Sequence, residues 1–164
     1  MALVSNNLQI RLSGTDQLET LPSVYVRFNA SFAFIQSIAD GDGAGEAENI
    51  AAVVANATTG GTTYDLTAFP GPFDNTLTFT AIKAILLYNQ SVTAGEGIVV
   101  GAASTTPFVG PLGGTTPTIT VLPGNAIALT NFSAAGWSTS GATNLKLTAL
   151  AGAPKYTLYI VGLT

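Results

Sequence analysis

The chain, 164 residues long, contains no cysteine and no histidine. The first absence excludes disulfides, thiol redox chemistry and thiolate metal sites, and it leaves the compartment unreadable from thiol usage. The second removes the usual general base, the usual transition-metal ligand and every catalytic triad built on imidazole. Catalysis would fall to carboxylates, three lysines, two arginines, hydroxyls and tyrosines. Charge is scarce too: 9% of residues are Asp, Glu, Lys or Arg, against about 25% in an ordinary soluble domain. The surface must then be Thr, Ser, Asn, Gly and Ala, or be covered. With few charges to keep copies apart, the composition predicts a homo-oligomer or a larger assembly.

The five basic residues, Arg11, Arg27, Lys83, Lys146 and Lys155, stand singly against nine acidic ones, and the pI is about 4.4. Binding nucleic acid requires clustered cations that displace condensed counterions, so no nucleic-acid partner is expected. Mean hydropathy is +0.43, yet no run approaches the roughly 20 apolar residues of a membrane span, and no membrane partner is expected. The opening MALVSNNLQIRL lacks the basic start and apolar core of a signal peptide, which predicts no Sec targeting. The length suits one domain over 1–164, long enough to bury roughly 70% of its unfolded surface, with the first residues available as an arm.

In VYVRFNASFAFIQ, Val24, Val26, Phe28, Ala30, Phe32 and Phe34 alternate with Tyr25, Arg27, Asn29 and Ser31, the period of a half-buried strand. The alternation returns in NLKLTAL (144–150) and more weakly in the closing KYTLYIVGL. Between such runs stand FPGPF (69–73), GPLGG (110–114) and LPGN (122–125). Pro then Gly suits a type II turn, Pro presetting φ and Gly taking the positive φ. Short β-rich segments separated by turns predict an all-β fold, an antiparallel, jelly-roll-like β-sandwich with little or no helix.

The apolar run DNTLTFTAIKAILLYNQS (74–91) fits helix or strand by propensity, and its surroundings decide for strand. On that reading Leu77, Phe79, Ala81, Lys83, Ile85 and Leu87 share one face. The second half is apolar on both sides, as expected of a central strand buried twice or covered by a neighbouring subunit. Lys83 then needs a partner, and its stem can reach an edge carboxylate. EAENIAAVVANATTG (46–60) suits a short helix or a strand about equally.

Candidate chemistry is thin. DGDGAGEAE (40–48) gathers Asp40, Asp42, Glu46 and Glu48 on a glycine-rich loop; calcium takes six to eight hard oxygen ligands, so these are weak calcium candidates. Their spacing is not that of an EF-hand, and a solvated loop is the simpler reading. Glycoside hydrolysis needs two carboxylates roughly 5 to 9.5 Å apart, but nothing singles out a pair, and Asp65 and Asp74 sit near turns where Asp bonds its own backbone. GPLGG lacks the Lys-Ser/Thr exit of a phosphate loop. The lone Trp137 can stack on a sugar ring, although a cap on the core is the commoner role. No catalytic residue, cofactor or metal is assigned.

From residue 62 onward the order of segments resembles the small β-sandwich head-decoration or cement proteins of tailed bacteriophages. The resemblance rests on Leu77, Thr78, Phe79, Ile82, Lys83, Ala84 and Ile85, then Val121, Pro123, Gly124, Ile127 and Leu129, then Tyr156, Leu158, Ile160 and Gly162. Asn125 stands where the second glycine of the turn is usual. The resemblance implies a non-enzymatic virion protein, made in the host cytoplasm, that sits on the outer capsid surface and binds between major capsid subunits as a homotrimer. The alternative is a tail-fibre-like carbohydrate- or receptor-binding module, and Trp137 and some of the five tyrosines are its candidate contacts.

Overall fold

The computed structural model describes residues 6–21, 24–73 and 75–164, and for 6–36 the backbone alone. Asp74 lies outside the described residues. Fourteen strands and no helix are found among them. β1 (Asn6–Leu21) and β2 (Val24–Asp40) form a ribbon, and β3 is Glu46–Ala47. β4 (Asn49–Asn56), β5 (Thr62–Asp65), β6 (Phe69–Pro70), β7 (Thr76–Leu77) and β8 (Ala81–Asn89) follow. The rest are β9 (Ile98–Gly101), β10 (Thr118–Val121), β11 (Ala126–Thr130), β12 (Trp137–Ser138), β13 (Asn144–Ala149) and β14 (Lys155–Leu163).

Two sheets pack face to face as an antiparallel β-sandwich. The larger runs β4-β14-β8-β11, with β12 also on β8; the smaller runs β5-β13-β9-β10. Counting β4, β5, β8, β9, β10, β11, β13 and β14 as first to eighth, the larger sheet holds the first, eighth, third and sixth strands. The smaller holds the second, seventh, fourth and fifth. Between them lies one apolar core: Ile85, Leu87, Tyr156, Leu158 and Ile160 from the larger sheet meet Ile98, Val100, Val121, Leu145 and Leu147 from the smaller. Phe69, Phe79 and Phe108 fill its ends. Alternation accounts for this directly, since β13 buries Leu145, Leu147 and Ala149 and leaves Asn144, Lys146 and Thr148 half-exposed.

Two expectations need correction. The strand in 74–91 begins at Ala81, and its single-face reading fails near Lys83. Ala84 pairs with Val161 and Ile82 with Gly162, which leaves Lys83 as an extra residue, a β-bulge. The bulge resets the parity: Ile82 and Ile85 both enter the core, whereas Ala84 joins a second cluster with Ile38, Ala47 and Val161. Lys83 is thereby freed from the core side. The Pro-Gly turn chemistry holds at 122–125, where Gly124 has φ +72° and the Asn125 amide donates to the Leu122 carbonyl at 3.1 Å. It does not hold at Gly71, where no positive φ occurs. There the Asn75 side chain covers the position a Cβ would take, so glycine serves close approach. Within 46–60 the chain is strand at Glu46–Ala47 and Asn49–Asn56, the latter paired with β14.

Candidate functional site

The acidic loop is organised by backbone contacts. The Glu46 carboxylate accepts the Gly43 amide at 2.8 Å, and Glu48 accepts the Thr164 amide at 2.6 Å. Among the described residues no three acidic side chains come together as a metal-holding group, so Asp40, Asp42, Glu46 and Glu48 do not form a shell. A calcium site would raise stability by about 2.7 kcal/mol at a hundredfold excess over Kd. Thermal melts with calcium and with chelator are expected to coincide, and an upward shift with calcium would return the loop to consideration.

Lys83 is buried completely, yet its partners are not carboxylates. Its Nζ donates to the carbonyls of Gly43 (3.3 Å), Ala134 (2.7 Å) and Ser133. Burial lowers its pKa from 10.5, while Asp42 and then Glu46 act in the opposite direction. The expected edge carboxylate is therefore replaced by three carbonyls, because the bulge aims the stem between two loops. Three donors on an ammonium match three acceptors, and the two acids supply charge at longer range. The group ties the 41–46 and 131–136 loops to β8.

The other marked residues are structural. Asp65 accepts the Thr67 amide and hydroxyl at 2.9 and 2.7 Å, the self-bonding turn expected of it. Trp137 packs against the main core, as expected of a cap, and Gly110 lies so close that a Cβ there would sit 2.6 Å from the Trp137 Cβ. Tyr156 and Tyr64 share a hydroxyl hydrogen bond of 2.5 Å. Burial first, then that bond, raises the Tyr156 pKa beyond the ordinary phenol range, so the Tyr156 hydroxyl stays neutral. Asn89, which the sequence did not flag, is buried and donates to the carbonyls of Glu96 (2.8 Å) and Val121 (3.1 Å). Among the described residues every buried side-chain nitrogen and oxygen has a partner.

What stands out is the outer face of the larger sheet. Register aligns Ala128, Leu86, Tyr159 and Ala52 in one row across the four strands, and Ala126, Tyr88, Thr157 and Val54 in the next. Neither row carries a charge. Val54 is 58% exposed, Tyr88 42% and Tyr159 38%. The outer face of the smaller sheet is polar by contrast, with Thr63 beside Lys146 and Thr148 beside Val99 beside Thr120. Beside the apolar face an open groove of about 780 Å3 runs between β4 and the 72–80 segment, flanked by Phe73 and Tyr159. Phe73 is 68% exposed.

No family model matches the chain, and no curated protein or solved structure matches it either.

Proposed function

We propose that this chain is a non-enzymatic structural protein of a tailed-bacteriophage virion, a capsid decoration or cement protein. It assembles as a homotrimer on the outer capsid surface and clamps neighbouring major capsid subunits. The observation that carries this reading is the pair of uncharged rows on the outer face of the larger sheet, bounded by Lys155 and Asn56 in the row beyond. A solvent-facing sheet side is ordinarily polar, as that of the smaller sheet is, and a contiguous exposed apolar patch marks an interaction site. The strand order supports the reading as well. We take first-eighth-third-sixth over second-seventh-fourth-fifth as that of a jelly roll, an architecture frequent in viral capsid and lectin domains. Repetition over a symmetric shell would strengthen a modest single contact by avidity.

The test is rebinding. Purified protein is mixed with capsids stripped of it and sedimented through a gradient. Saturable co-migration at a fixed number of copies per capsid, with a raised capsid melting temperature, is the expected result; protein left at the top at every concentration overturns the reading. One observation favours the receptor-binding alternative: Phe73 and Tyr159 flank the groove as sugar-stacking aromatics would. If that is its use, Phe73→Ala abolishes glycan binding on an oligosaccharide array and the wild type ignores capsids.

A further inference from the structure

We infer that the two uncharged rows on the outer face of the larger sheet are the seat for the β1–β2 ribbon of a second copy of this chain. The inference deepens the assembly reading above and rests on it only for the expectation that the chain self-associates.

The ribbon supplies the first argument. Its register sets Ile10 opposite Phe34, Leu12 opposite Phe32 and Leu18 opposite Val26, and alternation places all six on one face. Arg11, Arg27, Gln17 and Glu19 fall on the other, and Asp16, opposite Phe28, is a charge on the apolar side. The ribbon is amphipathic, and a two-stranded hairpin alone in water is marginal at best. Its strands have 16 and 17 residues, roughly 55 Å at about 3.4 Å per residue. The longest strands of the sandwich have 9, roughly 30 Å on the same rise. Among the described pairings the ribbon joins another strand only at Ala39 and Asp40, beside β3.

The second argument is a contact already made within the chain. Ile38 continues the apolar side of β2 by alternation with Phe34 and Phe32, and it is 3% exposed, buried with Ala84, Val161 and Ala47. Ala84 and Val161 belong to the same outer face, one row below Leu86 and Tyr159. The root of the ribbon therefore already lays its apolar side on this sheet, and in the next two rows Tyr159, Tyr88 and Val54 stay exposed while Gln90 bonds and helps bury Thr157. The chemistry of the proposed contact is displayed at the root, uncharged against uncharged, and continues along those exposed side chains.

Area selects the occupant. Four strands at about 4.8 Å and five residues at about 3.4 Å give a face of roughly 300 Å2, short of the roughly 800 Å2 per partner of a stable interface. A ribbon side of roughly 55 by 10 Å is long enough to span the face. Copies that exchange ribbons bury at most about 300 Å2 of sheet and as much of their own ribbon, up to about 600 Å2 each, twice what stacked sheets bury and nearer the required area.

The experiment is the native mass of the full-length protein by light scattering over a wide dilution range, for wild type, for Val54→Lys/Tyr159→Lys, and for Val92→Lys as control. All three sites are exposed in the single chain, Val92 at 93%. Wild type and control are expected to hold a multiple of 16.6 kDa; the double variant falls to one chain with an unchanged far-ultraviolet circular dichroism spectrum. A double variant as oligomeric as wild type overturns this seat and leaves the assembly reading standing, whereas a wild type monomeric throughout overturns both. The ribbon itself is tested by mixing Phe32→Cys copies with Val54→Cys copies in a chain otherwise free of cysteine. Oxidation is expected to give a mixed dimer on a non-reducing gel, and an oligomer that gives none overturns the ribbon as occupant.

Discussion

Lys83→Met is expected to cost on the order of 3 kcal/mol, and so to lower the melting temperature by about 6–12 °C. Methionine keeps much of the stem's volume but leaves the carbonyls of Gly43, Ser133 and Ala134 without their donor. Each buried acceptor so stranded costs about 1–3 kcal/mol. Two effects reduce the sum: water can reach the exposed Ser133 and Ala134, and the desolvation cost of the ammonium disappears. The stranded acceptors still win, because removing one side of a buried polar cluster is worse than never having built it. Calorimetry of both proteins across pH checks the assignment. Folding depresses the Lys83 pKa below 10.5, so above that depressed value the unfolded chain binds its proton more tightly than the native state does. Wild-type stability contributed by this group therefore rises with pH between the depressed value and 10.5. The gap to Lys83→Met should widen over that window; a gap that narrows would sink this account of the lysine.

The consequence reaches the ribbon. Gly43 stands three residues beyond the end of β2, the Gly45 amide donates to the Phe132 carbonyl at 2.8 Å, and Phe132 packs on the cluster that buries Ile38. The lysine thus clamps both loops that frame the ribbon's root. Its loss should raise amide exchange in 41–46 and 131–136 before it affects β14.

Much of this architecture was legible because one physical rule, period-two alternation, writes itself directly into sequence. It placed β13 and β14, and it marked the second half of the 74–91 run as apolar on both sides; within one chain β8 from Ile85 onward is buried on the core side only, with Leu86 half-buried and Tyr88 exposed on the other. Lys83 shows where the rule stops. A bulge adds one residue to one strand, and nothing in IKAIL records that insertion; it becomes visible only when Val161 and Gly162 are paired with Ala84 and Ile82. The 46–60 segment was ambiguous for a related reason. Ala and Val are compatible with either period, and the pairing of β4 with β14 across about a hundred residues decides. The acidic loop was ambiguous in composition, since four carboxylates close in sequence suit either a cation or water, and only the structure shows backbone amides on Glu46 and Glu48. Leu77, Phe79, Ile82, Ile85, Leu158 and Ile160 carry the phage resemblance and all lie in the core. They report on how the sandwich packs, and the proposed contact surface rests on Val54, Tyr88 and Tyr159 instead.

Gly162→Ala should be the most damaging single-atom change in the protein. The residue pairs with Ile82 beside the bulge, and its own φ is not in the left-handed region, so backbone conformation is no obstacle to alanine. Space is the obstacle. A Cβ would collide with the Ala81 carbonyl oxygen and lie 2.9 Å from Phe79 Cδ1. Neither neighbour yields easily: Ala81 is held by its pairings to Leu163 and Ser138, and Phe79 is fully buried against Phe69 at a centroid distance of 6.0 Å. Overpacking of this kind costs about 1–3 kcal/mol where side chains can shift, and a backbone oxygen in the way places this site at the upper end. Urea unfolding is the measurement, with an expected loss of about 3 kcal/mol and an unchanged m-value. Gly113→Ala is the useful contrast, because no atom lies within 4 Å of its Cβ and only its φ of +72° opposes the change. A native Gly conformation incompatible with Ala costs about 1 kcal/mol or somewhat more, so the two variants should differ by roughly 2 kcal/mol. Equal losses would mean that the close approach of β14 to Ala81 is relieved by movement of the strand, and the bulge would then be a soft feature of the sheet.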